Sequence, residues 1–134
     1  MTEANTPSKS FKIVHNVALV VLFLMMAQPT VGNVRALLTG TLSSGDISIE
    51  VTLSQMILHV VAMAIGWLGL WWFFKRQKRG AYLSIAAHGL GMVAVLTQTP
   101  AMLEMVPPAA LAVFFVVLLV VALGPLQMFK DEYS

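Results

Sequence analysis

The chain has 134 residues, 58% of them hydrophobic and only 10% charged, with 8 Lys and Arg against 6 Asp and Glu and a formal net charge of +2. Soluble domains carry about a quarter of their residues as charges, so this composition excludes a water-soluble globule, and the apolar residues must face lipid. The absence of cysteine excludes disulfides, thiolate metal ligation and thiol catalysis.

Residues 1–10 form a polar tail, and Lys9 and Lys12 flank the start of the first apolar stretch, Phe11 to Gln28. Three more stretches follow: Leu53 to Phe74, Ala81 to Thr99 and Ala109 to Phe129. Each has about 18 to 22 residues, the length an α-helix needs to cross ~30 Å of hydrocarbon at ~1.5 Å per residue. Past Lys12, none contains a formal charge. Runs that are apolar at every position, such as Val113 to Leu123, lack the alternation of a transmembrane strand. The expected fold is an all-α integral membrane protein, a bundle of four transmembrane helices forming a single membrane domain over residues 1–134. A secretory signal is the alternative for the first stretch, since small residues follow near Thr30 to Gly32; we read it as an uncleaved span.

Between the first two spans, Gln28-Pro29 reads as a helix stop. Val31, Val34, Leu37 and Leu38 then have helical spacing, which predicts a short surface helix over residues 31–39. After the turn-like Ser43 to Asp46, Ile47, Ile49, Val51 and Leu53 alternate with polar residues. This strand pattern either pairs back on Leu38 to Leu42 as a hairpin or runs unpaired into the second span. Thr99-Pro100 reads as a further stop, and Gly124-Pro125 as the end of the fourth helix or a kink in it.

Seven of the eight basic residues lie at the start of the first span (Lys9 and Lys12), between the second and third (Lys75, Arg76, Lys78 and Arg79) or after the fourth (Lys130); Arg35 is the exception. By the positive-inside rule both termini are expected in the cytoplasm, in a multi-pass protein of a plasma membrane of the bacterial inner-membrane type. Trp71 and Trp72, with Lys75, Arg76, Lys78 and Arg79, read as an anchor at the membrane interface. Four cations at that position mark topology, not a nucleic-acid site.

At ~100° per residue, Gln55, His59, Ala62, Gly66 and Gly69 share one face of the second helix, and Ser84, His88, Gly91, Val95 and Gln98 share one face of the third. A tight turn centred near residue 78 would place His59 opposite Gln98, Gly66 opposite Gly91, Gly69 opposite His88 and Phe73 opposite Ser84. Helices associate in lipid through close backbone packing and interhelical hydrogen bonds, so the plainer reading of this polar and small stripe is a seam. The functional reading is a proton or solute path, because ionisable groups at membrane depth mark such routes.

No metal cluster, nucleotide loop or paired carboxylate set is legible, so neither catalysis nor a cofactor is expected. One weak haem pair survives: His15 and His88, expected about one helical turn apart in depth. The leading expectation is a non-catalytic accessory or structural subunit of a larger membrane complex, touching the lipid bilayer and other integral membrane subunits or copies of itself. The alternatives are a small homo-oligomeric channel or transporter with a His/Gln-lined path, and a haem- or quinone-binding membrane anchor.

Overall fold

A computed structural model describes residues 6–97, 104 and 106–134. Ser8 opens the first helix, α1 (Lys9–Thr39), by accepting the Phe11 N–H at 3.1 Å, the bond an N-cap serine supplies. The helix runs 31 residues and passes through Pro29. At ~1.5 Å per residue it is about 46 Å long, well beyond the hydrocarbon thickness of ~30 Å. The stop expected at Gln28-Pro29 and the separate surface helix over 31–39 are therefore corrected, since one helix covers both. A proline can sit inside a membrane helix where neighbouring groups take over the backbone bonds it breaks. Beside the proline, Thr30 donates its hydroxyl to the Met26 carbonyl at 2.6 Å, one position past the carbonyl that loses its donor. The helix ends at Gly40, whose φ of 73° is the left-handed cap that glycine adopts without steric penalty.

Strands β1 (Thr41–Ser44) and β2 (Ile47–Glu50) pair antiparallel, with Thr41 opposite Glu50 and Ser44 opposite Ile47. Gly45 takes φ 59° at the first of the two turn positions, as a type II′ hairpin requires. The strand pattern is thus a hairpin, and its partner begins at Thr41 because α1 uses the residues up to Thr39.

The second helix, α2 (Leu53–Phe74), starts with a capping box: Thr52 Oγ1 accepts the Gln55 N–H, and Gln55 Oε1 accepts the Thr52 N–H at 3.0 Å. The third, α3 (Lys78–Leu96), begins inside the basic segment, ahead of the expected Ala81. Only Lys75, Arg76 and Gln77 remain as the turn, and Arg76 takes a left-handed φ of 58° to close it. The fourth, α4 (Pro108–Met128), continues through Pro125, so Gly124-Pro125 does not end it. A short 3-10 turn, Lys130–Glu132, follows. All four helices are long and apolar enough to cross a membrane. The protein is a multi-pass integral membrane protein built as a four-helix bundle.

The short turn sets the register between α2 and α3. A Cβ on Gly69 would stand 2.8 Å from the Ser84 nitrogen, one on Gly66 3.3 Å from the Ala87 Cβ, and one on Gly80 would run into the Phe73 backbone. Gly66 thus lies opposite Ala87, Gly69 opposite Ser84 and Phe73 opposite Gly80. Each pairing is about one helical turn from the expected partners Gly91, His88 and Ser84, because the turn is centred nearer Arg76 and Gln77 than residue 78. Phe11, Leu22, Phe73 and Leu118 are fully buried with Ala81 and Ala122, in the half of the bundle that holds the basic turn. Val113, Val116 and Val120 of α4 point outward, as lipid-facing side chains do.

Replacing Gly80 by alanine is expected to destabilise the protein by roughly 1 to 3 kcal/mol or more, because a backbone and not a flexible side chain blocks the new methyl. Gly91→Ala, where a Cβ meets nothing within 4 Å, should be neutral or slightly stabilising. Unfolding in mixed micelles measures both; equal losses would refute this register.

Candidate functional site

The site grows from a missing donor. Residue 29 is proline, so the Met25 carbonyl loses the N–H that would normally reach it from one turn ahead. His88 of α3 stands at that carbonyl, with Nε2 3.4 Å from the oxygen, while its Nδ1 lies 2.7 Å from the Ser84 carbonyl of its own helix. A neutral imidazole carries one N–H and serves one carbonyl at a time. In the tautomer protonated at Nε2 the N–H goes to the Met25 oxygen, which Pro29 leaves without a helical donor; in the Nδ1 tautomer it goes to the closer Ser84 oxygen. The His88 ring also leans on Phe114 of α4 at 5.5 Å between centroids.

A second tie lies at the same level. Thr30, already bonded to the Met26 carbonyl, accepts the Trp67 indole N–H at 3.1 Å. Gly66 leaves a notch that the end of the Met26 side chain fills. His88 and Trp67 therefore hold α3 and α2 to the part of α1 that proline weakens.

Beside this clasp, on the side toward the hairpin, a cavity of about 310 Å³ lies among the four helices. Asn33, His59, Met63, His88, Gly91 and Phe114 are among its walls, which are mainly apolar. The volume is at the lower end of the ~300–1,000 Å³ range of small-molecule sites, and a few polar groups on apolar walls are the usual makeup of such a site.

The stripe expected from periodicity divides into separate roles. His59, His88 and Gly91 line the cavity. Gly66 and Gly69 pack against neighbouring helices, and the buried Ser84 donates its hydroxyl to the Gly80 carbonyl at 2.9 Å. Gln55 belongs to the capping box and caps α2 locally. Gln98 lies outside the described residues, and with it the expected His59–Gln98 pair.

His15 sits at the other end of the bundle. It is buried, stacked between Phe11 and Phe73 at 5.3 and 5.1 Å, and shares a 2.8 Å hydrogen bond with the Tyr133 hydroxyl. His88 instead meets α1 at Met25, ten residues further along, or about 15 Å. One iron cannot take both, so the expected haem pair does not come together. Among the described residues, no group of three His, Cys, Asp or Glu side chains gathers as a metal site.

The basic turn is closed by the C-terminal residues: Ser134 N–H donates to the Arg76 carbonyl at 3.0 Å, and Lys78 N–H to the Ser134 carbonyl at 2.8 Å. Burial pushes the Tyr133 hydroxyl up to about 12, against the opposing pull of Arg76, so it stays protonated at physiological pH. Lys75 lies 4.8 Å over Trp71 and Arg79 3.8 Å over Trp72, while Arg76 turns inward over Phe11 at 5.2 Å.

Periodicity alone missed Thr30, Asn33 and Tyr133. A proline followed by threonine inside a helical pattern was the available signal for the first two, whereas Tyr133 reaches His15 across 118 positions and leaves no local trace.

Pro29→Ala restores the donor for the Met25 carbonyl and tests the clasp. His88→Leu alone is expected to cost about 1 to 3 kcal/mol, the penalty of an unsatisfied buried carbonyl, and clearly less in the Pro29→Ala background. Unfolding of the four proteins of this cycle measures the coupling; additive effects would mean that His88 does not act through this carbonyl.

Comparison with protein families, curated proteins and solved structures found no significant match to this chain, so its function is read from its own geometry.

Proposed function

We propose that the protein is a non-catalytic subunit of a membrane assembly that holds a small, uncharged, mainly apolar molecule, of the size and chemistry of a quinone ring, between its four helices. The cavity carries this reading. Among the described residues its walls carry the polar side chains Asn33 and His59, an amide and an imidazole of the kind that hydrogen-bond a carbonyl or hydroxyl, and no Asp, Glu, Lys or Arg. An ion placed there would lose its hydration without a formal charge to replace it, which favours a neutral guest.

A binding cavity is favoured over a conducting path by what lies beneath it. Leu22, Met25, Leu70, Leu118 and Ala122 are buried in the half toward the basic turn, with Phe73 at its end. A hydrated route through the same bundle would need polar groups or space at those positions. The outward valines of α4 suit either lipid or an apolar neighbouring subunit.

The orientation follows from charge. The end with Lys12, Lys75, Lys78 and Arg79 is the cytoplasmic one, with the hairpin outside, in a membrane of the bacterial inner type. Cysteines placed at Gln77 and at Asp46 should then be labelled by an impermeant reagent from opposite faces, Gln77 from the cytoplasm. Labelling of both from one face would overturn the arrangement.

Gly91→Leu tests the cavity, because a side chain there grows into open volume and glycine is the weaker helix former. The variant should keep its thermal stability yet bind a decyl-substituted benzoquinone at least about 10-fold more weakly, the loss of ~1.4 kcal/mol, by calorimetry in micelles. No binding by the parent protein, or equal binding by both, would refute the proposal.

A further inference from the structure

A second hollow lies on the outside of the bundle, at the basic end, between α1 and α2. It measures about 460 Å³, and Leu19, Val20 and Phe23 form one wall and Trp67, Trp71 and Phe74 the other. Phe23 and Trp67 meet edge-on at 5.7 Å at one end, and Trp71 and Phe74 stack at 5.8 Å near the other. The first cavity lies elsewhere, among all four helices, and the two hollows share no lining residue.

Cations stand at the mouth of this groove. On α1, Lys12, Asn16, Leu19 and Phe23 recur at three- and four-residue steps, so the exposed Lys12 and Asn16 continue the stripe that lines the wall. On α2, Lys75 is one turn past Trp71 and keeps its ammonium 4.8 Å over that ring. No acidic residue occurs in either helix, so neither lysine has a compensating charge on its own element. From Lys12 to Phe23 is about 16 Å of helix, close to half of the ~30 Å hydrocarbon thickness.

We propose that the groove between α1 and α2 is a binding site for an anionic phospholipid, one acyl chain lying against Phe23, Trp67 and Trp71 and the phosphate held between Lys12 and Lys75. The apolar wall accounts for the tail and the two ammonium groups for the charge of the head. Asn16 stands one turn in from Lys12, where its amide can bond the glycerol ester oxygens. A free phosphate would use the lysines but not the groove; a zwitterionic lipid would use the groove but gain little from the lysines.

The test uses the full chain carrying Trp72→Phe, which leaves Trp67 and Trp71 as reporters on the groove wall. It is reconstituted in phosphatidylcholine vesicles containing brominated phosphatidylglycerol or, in parallel, brominated phosphatidylcholine, and tryptophan quenching gives the relative affinity of the two lipids. A preference of at least about threefold for the anionic lipid is expected, falling to near unity in Lys12→Gln with Lys75→Gln and retained in Lys75→Arg. Lys78→Gln and Lys130→Gln, away from the groove mouth, should leave the preference unchanged. Equal quenching by both lipids would overturn the proposal, as would a preference lost equally in the Lys78 and Lys130 variants, which would mark a general surface potential. Weak quenching by both lipids that falls further as the protein-to-lipid ratio rises would mean that another copy of the chain covers the groove, and would overturn it too.

Discussion

A helix in hydrocarbon has no water to turn to, so every backbone carbonyl needs a donor from the protein. Pro29 removes the donor for Met25, and much of the bundle's middle is arranged around that loss. His88 comes from α3 to the Met25 carbonyl, Thr30 folds back on Met26, and Trp67 comes from α2 to Thr30. Three helices are thereby tied at one level by groups that would otherwise be costly to bury. The histidine that periodicity marks as a possible proton carrier thus has a backbone task in the first place.

The two halves of the bundle differ because their packing differs. Toward the basic turn, glycines let α2 and α3 approach until Gly80 meets the Phe73 backbone, and large side chains from α1, α2 and α4 fill the rest. His15, enclosed by Phe11, Phe73 and Tyr133, joins the first helix to the last residues of the chain. Toward the hairpin, the facing positions are small, with Ala62, Ala87 and Gly91 around the cavity, and Met26 and Met63 leave part of the volume empty. An apolar cavity forfeits the dispersion contacts that a filled core would have. A guest that restores them gains affinity without any change in the fold.

The same small set of residues also divides inside from outside. Groups that face the interior, His15, Ser84 and His88, have hydrogen-bond partners within the protein. Those that face outward at the basic end, Lys75 and Arg79, stay over the aromatic rings of Trp71 and Trp72, where an ammonium or guanidinium can keep contact with water and lipid headgroups. Arg76 departs from this pattern because the turn forces its φ positive and directs its side chain over Phe11.

Hydropathy and charge alone determined the four spans and the loop that forms a hairpin, because each is a local property of the chain set against lipid or water. The glycine faces of α2 and α3 were legible for the same reason, since helical periodicity puts them on one side whatever they meet. Their register was not. It depends on how few residues close the turn: with only Lys75, Arg76 and Gln77 between the helices, each facing position on α3 moves by about one helical turn. The course of α1 through Pro29 was likewise decided only in three dimensions. A proline reads as a stop until Trp67, bonded to the Thr30 hydroxyl, and His88, beside the Met25 carbonyl, are known to stand next to it although both are far away in the sequence. The division of the polar stripe into cap, seam and cavity wall followed from that packing, because a face of a helix acquires its role from what the neighbouring helix places against it.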